Sequence, residues 1–206
     1  MKKIITILLI LFTVMISGCR QSQTSPNLLS ADFTPSDVDY IEQSVQSAEN
    51  ESGVKVNDED IFVPLIVHDM STGYGVTITR YEKESLLSVE FKMNETQTEK
   101  YEISSMGTGK FNQNTMYGGE MTIEEWLTST NPQIFNDGER DYYITVFDWE
   151  GDENAKGFIL RYIIEENTVF NVSGKILHFE GDILTEQMAR NIYEDFKVIR
   201  LSELKS

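Results

Sequence analysis

Two apolar-rich runs, Tyr142 to Trp149 and Phe158 to Glu165, flank a short acidic turn, and this pair constrains the fold more than any other feature of the chain. Both have strand length and are rich in aromatic and β-branched residues, which suit a pleated, half-buried surface. The connection is too short for a crossover, so the strands pair antiparallel as a hairpin. Upstream, Tyr74 to Tyr81 alternates Tyr74, Val76 and Ile78 with Thr77 and Thr79. Leu87, Val89, Phe91 and Met93 likewise alternate with Ser88, Glu90 and Lys92. Gln97 to Ser104 is a weaker strand centred on Tyr101 and Ile103, and Ile61 to Val67, with Pro64 inside, reads as an edge strand. Short turns between successive strands predict an antiparallel meander. Val169 to Phe179 is a further strand, with Gly174 a candidate bulge.

Helix signals bracket the strands. Thr34-Pro35-Ser36-Asp37 has an N-cap, a first-turn proline and an acid at the positive end of the dipole. Val38, Ile41, Val45 and Ala48 follow at helical spacing until Gly53. Thr122 and Glu125 form a capping box for a short helix with Ile123, Trp126 and Leu127 on its apolar side and Pro132 beyond its end. Thr185 caps a third helix with the stripe Met188, Ile192 and Phe196, and Val198, Ile199 and Leu201 follow as an extended segment. The reading is one α+β domain over residues 35–206: a mostly antiparallel sheet of about seven strands, with about three helices packed on it and covering one face.

The start of the chain is of another kind. Lys2 and Lys3 precede an apolar run of 13 residues, Ile4 to Ile16, broken only by Thr6 and Thr13. A membrane-spanning helix needs about 20 apolar residues, so this run is too short to span. It ends in Ile16-Ser17-Gly18-Cys19, and Cys19 is the only cysteine of the chain. An aliphatic residue, two small ones and a cysteine resemble the lipobox of bacterial lipoprotein precursors. That resemblance covers about the first tenth of the chain. It implies that residues 1–18 are a signal removed before Cys19, and that Cys19 carries a diacylglycerol and fatty acids such as palmitate. The lipid would then hold the protein on the outer face of the cell membrane, or of an outer membrane in a cell with two. Arg20 follows the cysteine in place of the aspartate that retains many such proteins at an inner membrane. Residues 19–34 read as a lipidated tether, Ser/Gln/Thr-rich up to about Pro26, whose 15 flexible residues after the cysteine reach roughly 20 Å.

Without residues 1–18, 188 residues remain, with 15 basic and 34 acidic side chains and a formal charge of −19. Such a surface repels nucleic acid phosphate and anionic lipid heads, so nucleic acid is not an expected partner. It suits solubility outside the cell and attracts cations or basic proteins. No disulfide can staple the domain, so its core must suffice, and 19 of the chain's 20 Phe and Tyr, with two Trp, supply one.

No assembled catalytic motif is visible. His68 and His178 stand 110 positions apart and read as structural. No His/Cys spacing suits zinc, and no G-x-S-x-G elbow occurs. Gly107-Thr108-Gly109-Lys110 lacks the first glycine of a phosphate loop and has Phe111 where Ser or Thr must bind magnesium. Asp148-Trp149-Glu150-Gly151-Asp152-Glu153-Asn154 places oxygens at alternate positions as a calcium loop does. Glu153 takes the turn-glycine position, however, and Ile159 replaces the bidentate acid. Neither a metal nor a cofactor is expected. Trp126 is expected in the core, and Trp149 as the surface aromatic.

Three functions are compatible with these residues. The first is a lipid-anchored extracytoplasmic binding or interaction module without catalysis, whose partner is an envelope protein or a small ligand. The second is a cell-envelope hydrolase using paired carboxylates on sugar or peptidoglycan, a chemistry defined by separation in space. The third is the solute-binding component of a transporter, which would need two lobes and an alternating βα pattern. Binding residues concentrate on loops held by a scaffold. The candidates are therefore Lys110, Asn112, Asn114 and Tyr117 in the glycine-rich segment Met106 to Glu120, and Asp148, Trp149, Glu150 and Asp152 in the acidic turn.

Because nothing in residues 35–206 needs a disulfide or an evident metal, that fragment should fold alone and melt in one cooperative transition. A broad, non-cooperative melt of the recombinant fragment would count against a self-sufficient domain.

Overall fold

A computed structural model describes residues 33–69, 74–81, 86–93, 98–111, 121–152 and 154–206. Helix α1 (Pro35–Ser52) starts at a complete capping box. The Asp37 amide donates to Thr34 Oγ1 at 3.3 Å, and the Thr34 amide donates to the Asp37 carboxylate at 2.7 Å. Gly53 ends the helix in the left-handed region (φ 69°), its N–H donating to the Glu49 carbonyl. Ile41, Val45 and Ala48 form the buried stripe.

Seven strands make one antiparallel sheet: β2 (Tyr74–Tyr81), β3 (Leu86–Met93), β4 (Tyr101–Lys110), β5 (Gln133–Asn136), β6 (Asp141–Asp148), β7 (Lys156–Glu165) and β8 (Thr168–Ile176). Their order is β2-β3-β4-β8-β7-β6-β5, so two meanders meet where β4 pairs with β8. The expected hairpin is β6–β7, with Phe158 opposite Val146 and Tyr162 opposite Tyr142. A separate two-stranded sheet pairs β1 (Phe62–Pro64) with β9 (Val198–Arg200).

Three elements depart from the sequence reading. Strand β4 does not stop near Ser104 but continues to Lys110, through buried Met106, Gly107, Thr108 and Gly109. Glycines fill alternate positions there, so the inward-facing Met106 and Thr108 show no apolar period. Strand β5 gave no periodic signal because it has only four residues. Its trace in the sequence is Asp137-Gly138, with Gly138 at φ 102° in the tight turn to β6. The expected edge strand Ile61 to Val67 is extended only over Phe62–Pro64, and a 3-10 turn follows at Leu65–Asp69. The irregularity expected at Gly174 is real, but the extra residue belongs to its partner strand. The β4–β8 register shifts between Ile103 and Ser105, and a Cβ on Gly174 would lie 2.3 Å from the Glu102 carbonyl oxygen.

The core lies on one face of the sheet. Tyr142 and Ile144 of β6, Phe158, Leu160 and Tyr162 of β7, and Phe170 and Val172 of β8 point into it. They meet the stripe of α1 and that of α3 (Glu186–Asp195), which is continued by Phe196. The short helix α2 (Ile123–Thr128) is not on this face. Its Trp126 and Leu127 pack with Val169 on the opposite side, beside Tyr143 and Ile163. Strand alternation explains the correction, because Tyr143, Ile163 and Val169 are one step out of phase with the core residues. Arg161, on the same outer face, lies 4.6 Å from the Trp126 ring and donates to the Trp126 carbonyl at 2.5 Å. A last short helix, α4 (Leu201–Leu204), takes the place of the extended segment expected beyond Arg200.

The β5–β6 turn is fastened to α3 through Asp137. Its Oδ1 accepts the amides of Glu139 and Arg140, each at 2.9 Å, while its carboxylate accepts the Tyr193 hydroxyl and has Lys197 Nζ at 3.9 Å. Burial alone would raise the Asp137 pKa, but the two amides, Tyr193 and Lys197 together hold it below the usual value. A carboxylate whose pKa is depressed by folding stabilises above its unfolded value, about 4, and loses that contribution as pH falls through the lower folded value. Asp137→Asn should therefore cost about 1–3 kcal/mol near neutral pH. The gap to wild type should close in acid, as read by denaturant unfolding across pH. A gap of constant size would sink this account.

Candidate functional site

The acidic turn between β6 and β7 is closed by Gly151 at φ 89°, with the Asp152 amide donating to the Trp149 carbonyl at 3.4 Å. Its acids are not a free negative cluster. Lys156, opposite Asp148 in the β6–β7 ladder, donates to the Asp148 carboxylate. Lys175 of β8 lies 3.1 Å from Asp152 Oδ2 and 5.9 Å from the centre of the Trp149 ring. Those lysine hydrogen bonds are the main reason that both carboxyls titrate below their usual range. Glu150 is exposed and has no ion pair among the described residues. Asp148, Trp149, Gly151, Asp152, Ala155 and Lys156 line an open depression of about 490 Å³. Half-buried Trp149 is the aromatic there, while Trp126 is buried at 3 % exposure in the smaller cluster under α2. Among the described residues, no three His, Cys, Asp or Glu side chains come together as a metal would need.

A second concavity lies at the far end of the sheet. It is a cavity of about 170 Å³ between the ends of β3, β4 and β8 and the small β1–β9 sheet. Thr108 and Thr168 line it, and they are the only buried polar or charged side chains among the described residues, at 2 % and 8 % exposure. Phe62 and Val89 give it an apolar wall, both buried. Three exposed charges stand around it: Lys110, Asp60 and Glu165. Register explains the convergence. Lys110 pairs with Thr168, Thr108 with Val89 on the other side of β4, and Glu165 with Thr168 across the β7–β8 turn. Arg200 of β9, stacked 4.8 Å from the Phe62 ring, donates to the Glu165 carboxylate and to the Glu59 carbonyl.

Of the candidate residues, the structure thus gathers Asp148, Trp149 and Asp152 around the turn and puts Lys110 at the cavity. Lys110 was expected in a loop, but it is the last residue of β4. Asn112, Asn114, Tyr117, Glu153 and Cys19 lie outside the described residues. The side chain of His68 does too, whereas His178 is exposed just beyond β8. Sequence reasoning missed Thr108, Thr168, Asp60 and Glu165. Asp60 ends the run Asp58-Glu59-Asp60, which in sequence looks like any solvated acidic stretch, and the hydroxyls differ from any other strand threonine only once the ladder brings them together. Compared with protein-family models, curated proteins and solved structures, the chain matches none.

Replacing Asp148, Glu150, Asp152 and Glu153 together by their amides should leave the melting curve near neutral pH almost unchanged, because exposed ion pairs contribute little. If this turn recruits a basic partner, the same variant should lose capture of that partner at low salt, mainly in the on-rate. Identical sets of envelope proteins captured at low salt by wild type and variant would remove the turn from consideration.

Proposed function

We propose that this chain is a lipid-anchored extracytoplasmic binding module, tethered through Cys19 to the outer face of the cell membrane, with the cavity beside Lys110 as its binding site. The observation that carries the binding reading is the pair of buried threonines, Thr108 and Thr168, lining a cavity with an apolar wall and an exposed lysine beside it. Placed polar groups beside an apolar wall are what orient a small ligand. The anchoring reading rests on Ile16-Ser17-Gly18-Cys19 behind a short apolar run. It fits the start of the described fold, since Phe33 is buried and Thr34 caps α1. Cys19 then stands ahead of the packed domain with a polar stretch between.

One observation favours the hydrolase reading: Asp60 and Glu165 are two carboxylates on a single cavity. Arg200 already engages Glu165, however, which leaves Asp60 as the acid without a basic partner among the described residues. The geometry therefore supports recognition better than paired acid and base work.

Metabolic labelling with palmitate tests the anchor. Wild-type protein should carry label and sediment with membranes, and Cys19→Ala should lose both the label and the processing step. Equal label in the two would overturn the anchoring.

A further inference from the structure

We propose that the cavity beside Lys110 takes a small zwitterion with an apolar body, of the class of the free aliphatic amino acids. This rests on the binding reading above and names the ligand class of that same site. The argument begins with the charges around the cavity. Glu165 is engaged by Arg200, which leaves Lys110 and Asp60 as the charges open to a ligand. Among the described residues the two make no ion pair with each other or with any other side chain, although both line this cavity. Asp60 has one side-chain contact, accepting from Asn57 Nδ2 at 3.3 Å. One cation and one anion on the same cavity, not paired with each other, match a ligand that carries a carboxylate and an ammonium on one carbon.

The interior decides what lies behind those charges. Phe62 and Val89 are apolar and buried, at 5 % and 2 % exposure, so the ligand should present a hydrocarbon group to them. Thr108 and Thr168 add hydroxyls, a group type that can both donate and accept, and that of Thr108 donates to the Val89 carbonyl at 3.5 Å. A volume of about 170 Å³ suits a ligand well below drug size.

Net charge narrows the class further. A simple anion would have to approach a chain of formal charge −17 and pass Asp60 and Glu165. A simple cation would meet Lys110. A neutral sugar would leave the lysine ammonium and the Asp60 carboxylate without charged partners. A zwitterion has no net charge to be repelled and can satisfy both groups at once.

The test uses full-length protein in detergent and titration calorimetry with L-alanine, L-valine, L-leucine, N-acetyl-L-leucine, L-leucinamide and glucose. At least one free amino acid should bind. The acetylated and amidated leucines should each bind about ten-fold or more weakly than L-leucine, the loss expected for a hydrogen bond to a charged group. Lys110→Ala should weaken L-leucine similarly while leaving leucinamide unchanged. Asp60→Asn should weaken L-leucine while leaving the N-acetyl derivative unchanged. Both residues are exposed, so both variants should keep the wild-type melting curve. Glucose binding without amino acid binding would overturn the ligand class and keep the module. Amino acid binding indifferent to both substitutions would overturn the site. No binding by any free amino acid would overturn the proposal, with the palmitate result standing on its own.

Discussion

The contact on which the domain depends is a stack of buried tyrosines between the sheet and helix α3. The rings of Tyr142 and Tyr193 lie nearly parallel, with centroids 4.2 Å apart and planes 5° from coplanar. Tyr162 meets Tyr193 edge-on at 5.3 Å and donates its hydroxyl to the Phe196 carbonyl at 2.9 Å. Burial, first of all, pushes the phenols of Tyr101, Tyr162 and Tyr193 well up from their ordinary value, so each keeps the proton it donates. The Tyr101 hydroxyl donates a hydrogen bond to Asp195 at 2.8 Å, and that of Tyr193 donates to Asp137. The same rings that fill the core therefore also tie the C-terminal part of α3 to β4 and to the β5–β6 turn. A phenylalanine core of equal volume would pack but would leave the helix free to slide.

The two faces of the sheet are used unequally. The core face carries nearly every large buried side chain, while on the other face α2 sits over Arg161, Ile163 and Val169. Farther along that outer face, the Phe147 ring lies over Gly157, where a built Cβ would come within 2.2 Å of it. Glycine there lets an aromatic ring cover backbone that would otherwise face water. Phe147 and Ile134 are nonetheless 43 % and 56 % exposed.

Local chemistry was the legible part of the sequence. Thr34 caps α1 and Thr122 with Glu125 forms a capping box in the structure as in the sequence, Thr34 gaining in addition a full box with Asp37, and Thr185 accepts the Met188 amide. The Tyr142 to Glu165 hairpin needed only alternation and a turn. The illegible part involved distance along the chain or the absence of side chains. Strand β4 runs on through Gly107 and Gly109, where periodicity has nothing to act on. Its pairing with β8, 58 to 75 positions away, is decided by how two meanders fit together. The cavity inherits that difficulty: Asp60, Thr108 and Thr168 come from three separated segments, and Lys110 was singled out for a loop character that it does not have.

The pairing of β1 with β9 has a consequence for the order of events in folding. Phe62 faces Arg200 across 138 positions, and the junction is sealed on both sides, by the Leu65 amide to the Lys197 carbonyl and the Leu201 amide to the Ile61 carbonyl. Ile199 and Leu201 enter the same core as Ile61 and Val63. A ribosome delivers these halves in sequence, so the early strand waits for a mate that is synthesised well over a hundred residues later. Until then the nascent domain has an open seam along its hydrophobic interior, and closing so long a loop is slow. The domain therefore stays pliable while β1 and β9 are apart and locks only when the two strands meet.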